Sequence, residues 1–123
     1  METNNLPDPN AIRLAEEKGL VFSEDKKILL KCTDDKITAI TIPDGVIEIG
    51  RSAFVRCRQL TEVVIPGSVT IIGAGAFRFC RSLSHIVIPD SVTRIDTLAF
   101  MATPCEEQVK KDYPHLFRSY PLS

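Results

Sequence analysis

A chain of 123 residues with 44% hydrophobic residues, 25% charged residues and a formal net charge of -1 has the balance of one globular domain. It is too short for two independent cores, too apolar for wholesale disorder and too near neutrality to be steered to polyanions by net charge alone. No apolar run approaches the roughly 20 residues of a membrane span. The stretch from Met1 to Asn10 lacks the basic start and apolar core of a secretory signal; taken as native, it places the protein in the cytoplasm, with no membrane partner.

In chain order, Asp8 and Pro9 followed by Ala11, Ile12, Leu14 and Ala15 and then Gly19 predict a short helix with a side-chain cap, a proline in its first turn and a glycine stop. Leu20 to Phe22 and Ile28 to Cys32 flank the polar stretch Ser23 to Lys27 and predict a hairpin. From residue 37 onward a 23-residue period governs the chain. Pro43, Pro66 and Pro89 share one column, Phe54, Phe77 and Phe100 another, and Ala53, Ala76 and Ala99 a third. Ile40, Val63 and Ile86; Ile42, Ile65 and Ile88; Val46, Val69 and Val92; and Ile49, Ile72 and Ile95 repeat without a slip.

Within a copy, Leu60, Val63 and Ile65 alternate inward along a β-branched strand that Pro66 ends, because proline lacks the N–H a ladder needs. A turn and a second brief strand, Val69 to Ile72, follow. Ala74 to Cys80 then bends back, burying Ala76 and Phe77. One copy cannot bury enough surface to offset the entropy of fixing its own backbone, so copies must stack and both ends must be covered. Downstream, Thr103 and Glu106 have capping-box spacing with Pro104 at the first helical position, predicting a helix to about Tyr113 that Pro114 ends. Leu116 and Phe117 anchor it, and the tail from Arg118 to Ser123 is expected to fray. The expected fold is α+β: a single domain, a short curved solenoid of about three coils at 37–102, with a helix and hairpin cap at 1–36 and a helix cap and tail at 103–123.

The columns Leu60, Val63, Ile65, Pro66, Val69, Ile72, Gly73, Ala76, Phe77 and Cys80 resemble the leucine-rich repeat of the treponemal, BspA-like class. The copy from Ile37 fits with Gly50, Ala53, Phe54 and Cys57; the copy from Leu83 departs at Asp96 and Thr103. Gly19 to Lys27 is similar to the hairpin that often precedes such repeats. The resemblance spans roughly residues 19 to 117 and implies a curved solenoid that binds proteins or surface ligands, often on secreted or cell-surface bacterial proteins.

Chemistry-bearing residues are sparse. Cys32, Cys57, Cys80 and Cys105 are spaced 25, 23 and 25 apart, without the close pair typical of zinc sites, so no metal is expected. Cys57 and Cys80 lie in a packing column, although coils stacked about 4.8 Å apart bring them within disulfide reach under oxidation. Gly73 and Gly75 lack the third glycine of a dinucleotide loop. His85 and His115 have no nucleophile or acid placed with them by a motif, and the acids Asp34, Asp35, Glu106 and Glu107 read as solvated loop and helix-start residues. No enzyme activity and no cofactor are expected.

Two surface features remain. The outward strand positions Ala39, Thr41, Glu62, Val64, His85 and Val87 form a stripe expected to bind a protein partner. The alternative is an arginine edge: residues 51–94 hold six arginines and only Glu62 and Asp90 as acids, a local +4. Of these, Arg56, Arg58, Arg78 and Arg81 are the candidate binders of anionic polymers or acidic partners. With few aromatics nearby, nucleic acid is not the expected partner. Open strand edges and end faces leave room for a homodimer.

Overall fold

The computed structural model describes residues 7–118. Helix α1 (Pro9–Glu17) starts as expected: the Asp8 carboxylate accepts the Asn10 N–H, and Pro9 stands in the first turn. Its apolar side, Ile12 and Ala15, is buried. Gly19 follows with φ +103, and a Cβ there would meet Asp34 at 3.0 Å, so a glycine is required on both counts.

Strands β1 (Leu20–Phe22) and β2 (Ile28–Cys32) form the antiparallel hairpin, with a bulge between Val21 and Phe22. Its turn is held by Asp25, which accepts from the Ser23 hydroxyl at 2.7 Å and the Lys27 N–H at 3.1 Å. Those bonds lower the Asp25 pKa.

From β2 onward the molecule has three sides. One is a sheet in the order β1, β2, β4 (Glu48–Ile49), β6 (Ile71–Ile72), β7 (Arg94–Ile95), all parallel after the hairpin. Its inward column, Leu29, Ile49, Ile72 and Ile95, is fully buried. The second side is the pair β3 (Ala39–Thr41) and β5 (Glu62–Val64), parallel with Ile40 opposite Val63. Between these sides, Pro43, Pro66 and Pro89 each open a turn whose carbonyl accepts the N–H of Val46, Val69 or Val92. The Ser68 and Ser91 hydroxyls reach back one copy to the carbonyls of Val46 and Val69.

The third side is the bend that follows each short strand. Expected to be helix-like or irregular, it is a run of i to i+3 turns, such as Ala76 N–H to Gly73 O, Arg78 N–H to Gly75 O and Cys80 N–H to Phe77 O. Two residues per bend take the left-handed conformation, and both positions recur at the 23-residue period: Ser52, Gly75 and Leu98, and Arg56, Phe79 and Ala102. Adjacent bends are tied by three backbone bonds per step. Ser52, Phe54 and Arg56 donate to Ala74, Ala76 and Arg78; Gly75, Phe77 and Phe79 donate to Thr97, Ala99 and Met101. Beneath them the buried rings of Phe54, Phe77 and Phe100 stack at 5.2 and 5.3 Å.

Three expectations need correction. The third copy makes no strand matching β3 and β5: residues 83–88 lie beside β5 without a ladder. The Leu83 carbonyl is taken from the other side by the Cys105 N–H at 3.2 Å. Thr61 clamps its neighbour by donating both N–H and hydroxyl to the Thr38 carbonyl; Ser84 in the same column makes no such bond. Second, α2 (Glu106–Asp112) starts two residues after Pro104 and has no capping box, because the Thr103 hydroxyl donates to Phe100 O at 2.7 Å instead of accepting at the helix start. Third, Arg118 is not frayed. After a 3-10 turn (Pro114–Leu116), Phe117 bridges Ile95 in parallel and the Arg118 N–H donates to Ile95 O at 2.8 Å. The rest of the tail, from residue 119, lies outside the described residues.

Candidate interaction surface

Strand alternation decides what β3 and β5 show to solvent. Ile40 and Val63 point inward and are buried, whereas Ala39, Thr41, Glu62 and Val64 are exposed. His85 and Val87 continue the stripe on the unladdered third copy, both exposed, with Ile86 buried between them. The structure therefore brings all six expected residues to one side. Val64 and Val87 are 46% and 63% exposed, which is unusual for β-branched apolar side chains in one column.

Two depressions mark this side. A shallow one of about 140 Å³ is lined by Ala39, Thr41, Glu62, Val64 and Lys18. Lys18 comes from the end of α1, and no feature of the repeat could have placed it there. The larger depression, about 530 Å³, runs between β5 and the third copy and is lined by residues 61–65 and 85–87.

The larger groove exists because the ladder stops. Glu62 and Val64 direct their backbone groups to β3; for example, the Ile42 N–H donates to Val64 O at 3.0 Å. Val63 and Ile65 face the other way. Among the described residues, neither N–H has a hydrogen-bond partner, and no backbone bond joins 61–65 to 84–88. The groove therefore offers a row of main-chain donors and acceptors beside apolar side chains.

The arginines lie on the bend side. Those of Arg56, Arg78 and Arg81 converge on one ring, that of Phe79, at 5.4, 4.9 and 5.5 Å from its centroid. Arg58, expected in the same row, is exposed and does not join them. The ion pairs among the described residues are Lys26 with Glu16, Arg94 with Asp96 and Lys110 with Glu106; none involves the three around Phe79. Phe79 was not singled out from the sequence, because its column also holds Arg56 and Ala102.

The four thiols are free. Burial pushes the Cys80 thiol up to about 12, and it donates to Phe54 O at 3.0 Å. Burial likewise raises Cys105. Cys57 is hydrogen-bonded to Cys32, which raises Cys57 and lowers half-buried Cys32 to about 7. Among the described residues, no three His, Cys, Asp or Glu side chains gather closely enough to hold a metal ion, and no helix is long and apolar enough to cross a membrane.

Comparison with known proteins agrees with this arrangement. The family described as BspA type leucine rich repeat region (6 copies) matches residues 28–110. The crystal structure of the Treponema pallidum leucine-rich repeat protein aligns at TM-score 0.62 and 28% identity, covering 72% of this chain and 44% of that one. The pneumococcal vaccine antigen PcpA aligns at TM-score 0.63 and 26% identity, covering 68% of this chain and 21% of that one. A leucine-rich repeat protein from Bacteroides capillosus aligns at TM-score 0.57 and 32% identity, covering 69% and 66%. This chain thus spans less than half of the treponemal protein and about a fifth of the pneumococcal one. No curated protein sequence matches it. With the 23-residue columns, the stacked copies and the match over residues 28–110, the chain belongs to the BspA-type leucine-rich repeat family.

Proposed function

We propose that the chain is a non-catalytic interaction module that holds an extended segment of a protein partner on its strand face. Ala39, Thr41, Glu62, Val64, His85 and Val87 would contact the partner. One observation carries this reading: the groove between β5 and the third copy pairs unpartnered Val63 and Ile65 amides with exposed Val64 and Val87. An extended peptide supplies main-chain groups for the former and side chains for the latter. The architecture that goes with this proposal is one domain of three coils at 37–102, covered by 7–36 at one end and by 103–118 at the other. The family and the pneumococcal antigen among its neighbours support a surface or secreted setting over the cytoplasm.

Selection from a displayed library of random unstructured peptides tests the proposal. Enriched peptides should bind the wild type with little dependence on salt, slow exchange of the Val63 and Ile65 amides, and lose at least about tenfold in affinity to a Val64→Asp, Val87→Asp double variant. Equal binding to the double variant, or binding abolished by salt, would overturn it. Sedimentation of the free protein decides whether a second copy fills the groove instead.

A further inference from the structure

We propose that Arg56, Arg78 and Arg81 form, over Phe79, a binding site for a tetrahedral oxyanion carried as a terminal sulfate or phosphate ester. The site lies on the bend side and goes beyond the strand-face reading. Three guanidinium groups from two adjacent copies lie within 4.9 to 5.5 Å of a single ring centroid. Like charges so gathered are ordinarily interleaved with carboxylates, and here none of the ion pairs among the described residues reaches them. The ring offsets part of the repulsion through its π face and leaves the charge in place.

The platform is fixed. Phe79 is held in the left-handed conformation at φ +64, with its N–H donated to Met101 O at 2.9 Å. Arg56 shares that conformation, and its N–H donates to Arg78 O at 2.9 Å, so two of the three arginines are locked to each other through the backbone. The Arg78 Nε is buried and has no hydrogen-bond partner, although a buried donor is normally satisfied. A guanidinium lying on a ring uses its face and keeps its N–H edge for an acceptor. Three guanidinium forks gathered at one ring supply more N–H donors than the two coplanar oxygens of a carboxylate can use, and suit the several oxygens of a sulfate or phosphate better.

The test is an NMR titration of the intact protein with sodium sulfate and with sodium phosphate, at ionic strength held constant by sodium chloride. The Arg78 Nε–H and Phe79 amide signals should shift to saturation with either oxyanion, and acetate should produce no saturating shift. In an Arg56→Gln, Arg81→Gln double variant, both exposed positions, affinity should fall at least about tenfold while the spectrum elsewhere stays unchanged. Shifts that never saturate, that acetate reproduces, or that persist unchanged in the double variant would overturn the site. Retention on a polysulfated polysaccharide resin, set against co-sedimentation with vesicles containing phosphatidic acid, then separates a sulfated glycan from a phosphate headgroup. The bearer is the one whose hold the double variant weakens.

Discussion

The bend side and the strand face are built from the same 23 residues, yet they hold together differently. On the bend side every step between copies carries three backbone bonds and a stacked phenylalanine pair at 5.2 or 5.3 Å. On the strand face one step is laddered, β3 to β5, and the next is open. The stack is therefore set by the ring column and the turns beneath it, and the strand face is free to depart from the period without loss of order elsewhere. Stability is thus concentrated on one side and available main chain on the other, the usual division between a scaffold and the surface it presents.

The strongest way to break this comparison is Phe77→Ala. Phe77 is fully buried between two rings, and its loss should cost about 3–5 kcal/mol by denaturant unfolding; a cost under about 1 kcal/mol would mean that the ring column does not carry the stack. Native-state amide exchange sharpens it without mutation. The Phe77 and Phe79 amides, donated to Ala99 and Met101, should exchange at least about a hundredfold more slowly than those of Val63 and Ile65; equal rates would close the gap between the two sides.

Gly73→Ala tests the spacing. A Cβ there would meet the Arg51 N and Ile49 O at 2.9 Å, both backbone, so the copies must part at a cost of about 1–3 kcal/mol by thermal or denaturant unfolding. Asp96 occupies that column in the third copy, where the N–H bond to Ile72 O is 2.9 Å against 2.7 Å from Gly73 to Ile49. The end of the stack thus accommodates what its middle does not. The smallest effect is chemical. Because the hydrogen bond from Cys57 lowers Cys32 to about 7, the thiolate is populated above that pH and lost below it. Iodoacetamide followed by peptide mass analysis should label Cys32 ahead of buried Cys57, Cys80 and Cys105, with a rate that climbs as pH rises through about 7.

The repeat, its core columns, α1 and the hairpin were legible because each rests on a local rule or on identity at a fixed spacing. What was not legible arises only when copies meet. Of the six left-handed positions in the bends, only Gly75 is a glycine, so the usual marker is missing at Ser52, Leu98, Arg56, Phe79 and Ala102. Arg78 and Arg81 flank Phe79 in its own bend, but Arg56 stands 23 residues before that ring in the chain, and only stacking brings it there. The Thr103 motif misled because a hydroxyl that finds a carbonyl three residues back satisfies itself before the helix begins. The open third step was not legible because residues 83–88 keep the apolar columns of 60–65 and yet form no ladder with them; column identity registers burial and not backbone pairing.

Phe117 meets Ile95 in parallel, and the Arg118 N–H takes the Ile95 carbonyl, in the place where Ile95 itself meets Ile72. The closing segment thus docks on a site that every copy possesses, which makes the molecule extensible. Tandem duplication of residues 60–82 would lengthen it by one rung of roughly 4.8 Å and leave the terminal segment an equivalent seat one rung further out. Growth by whole-repeat duplication needs no new interface, so a short chain and a long one can be made from the same parts.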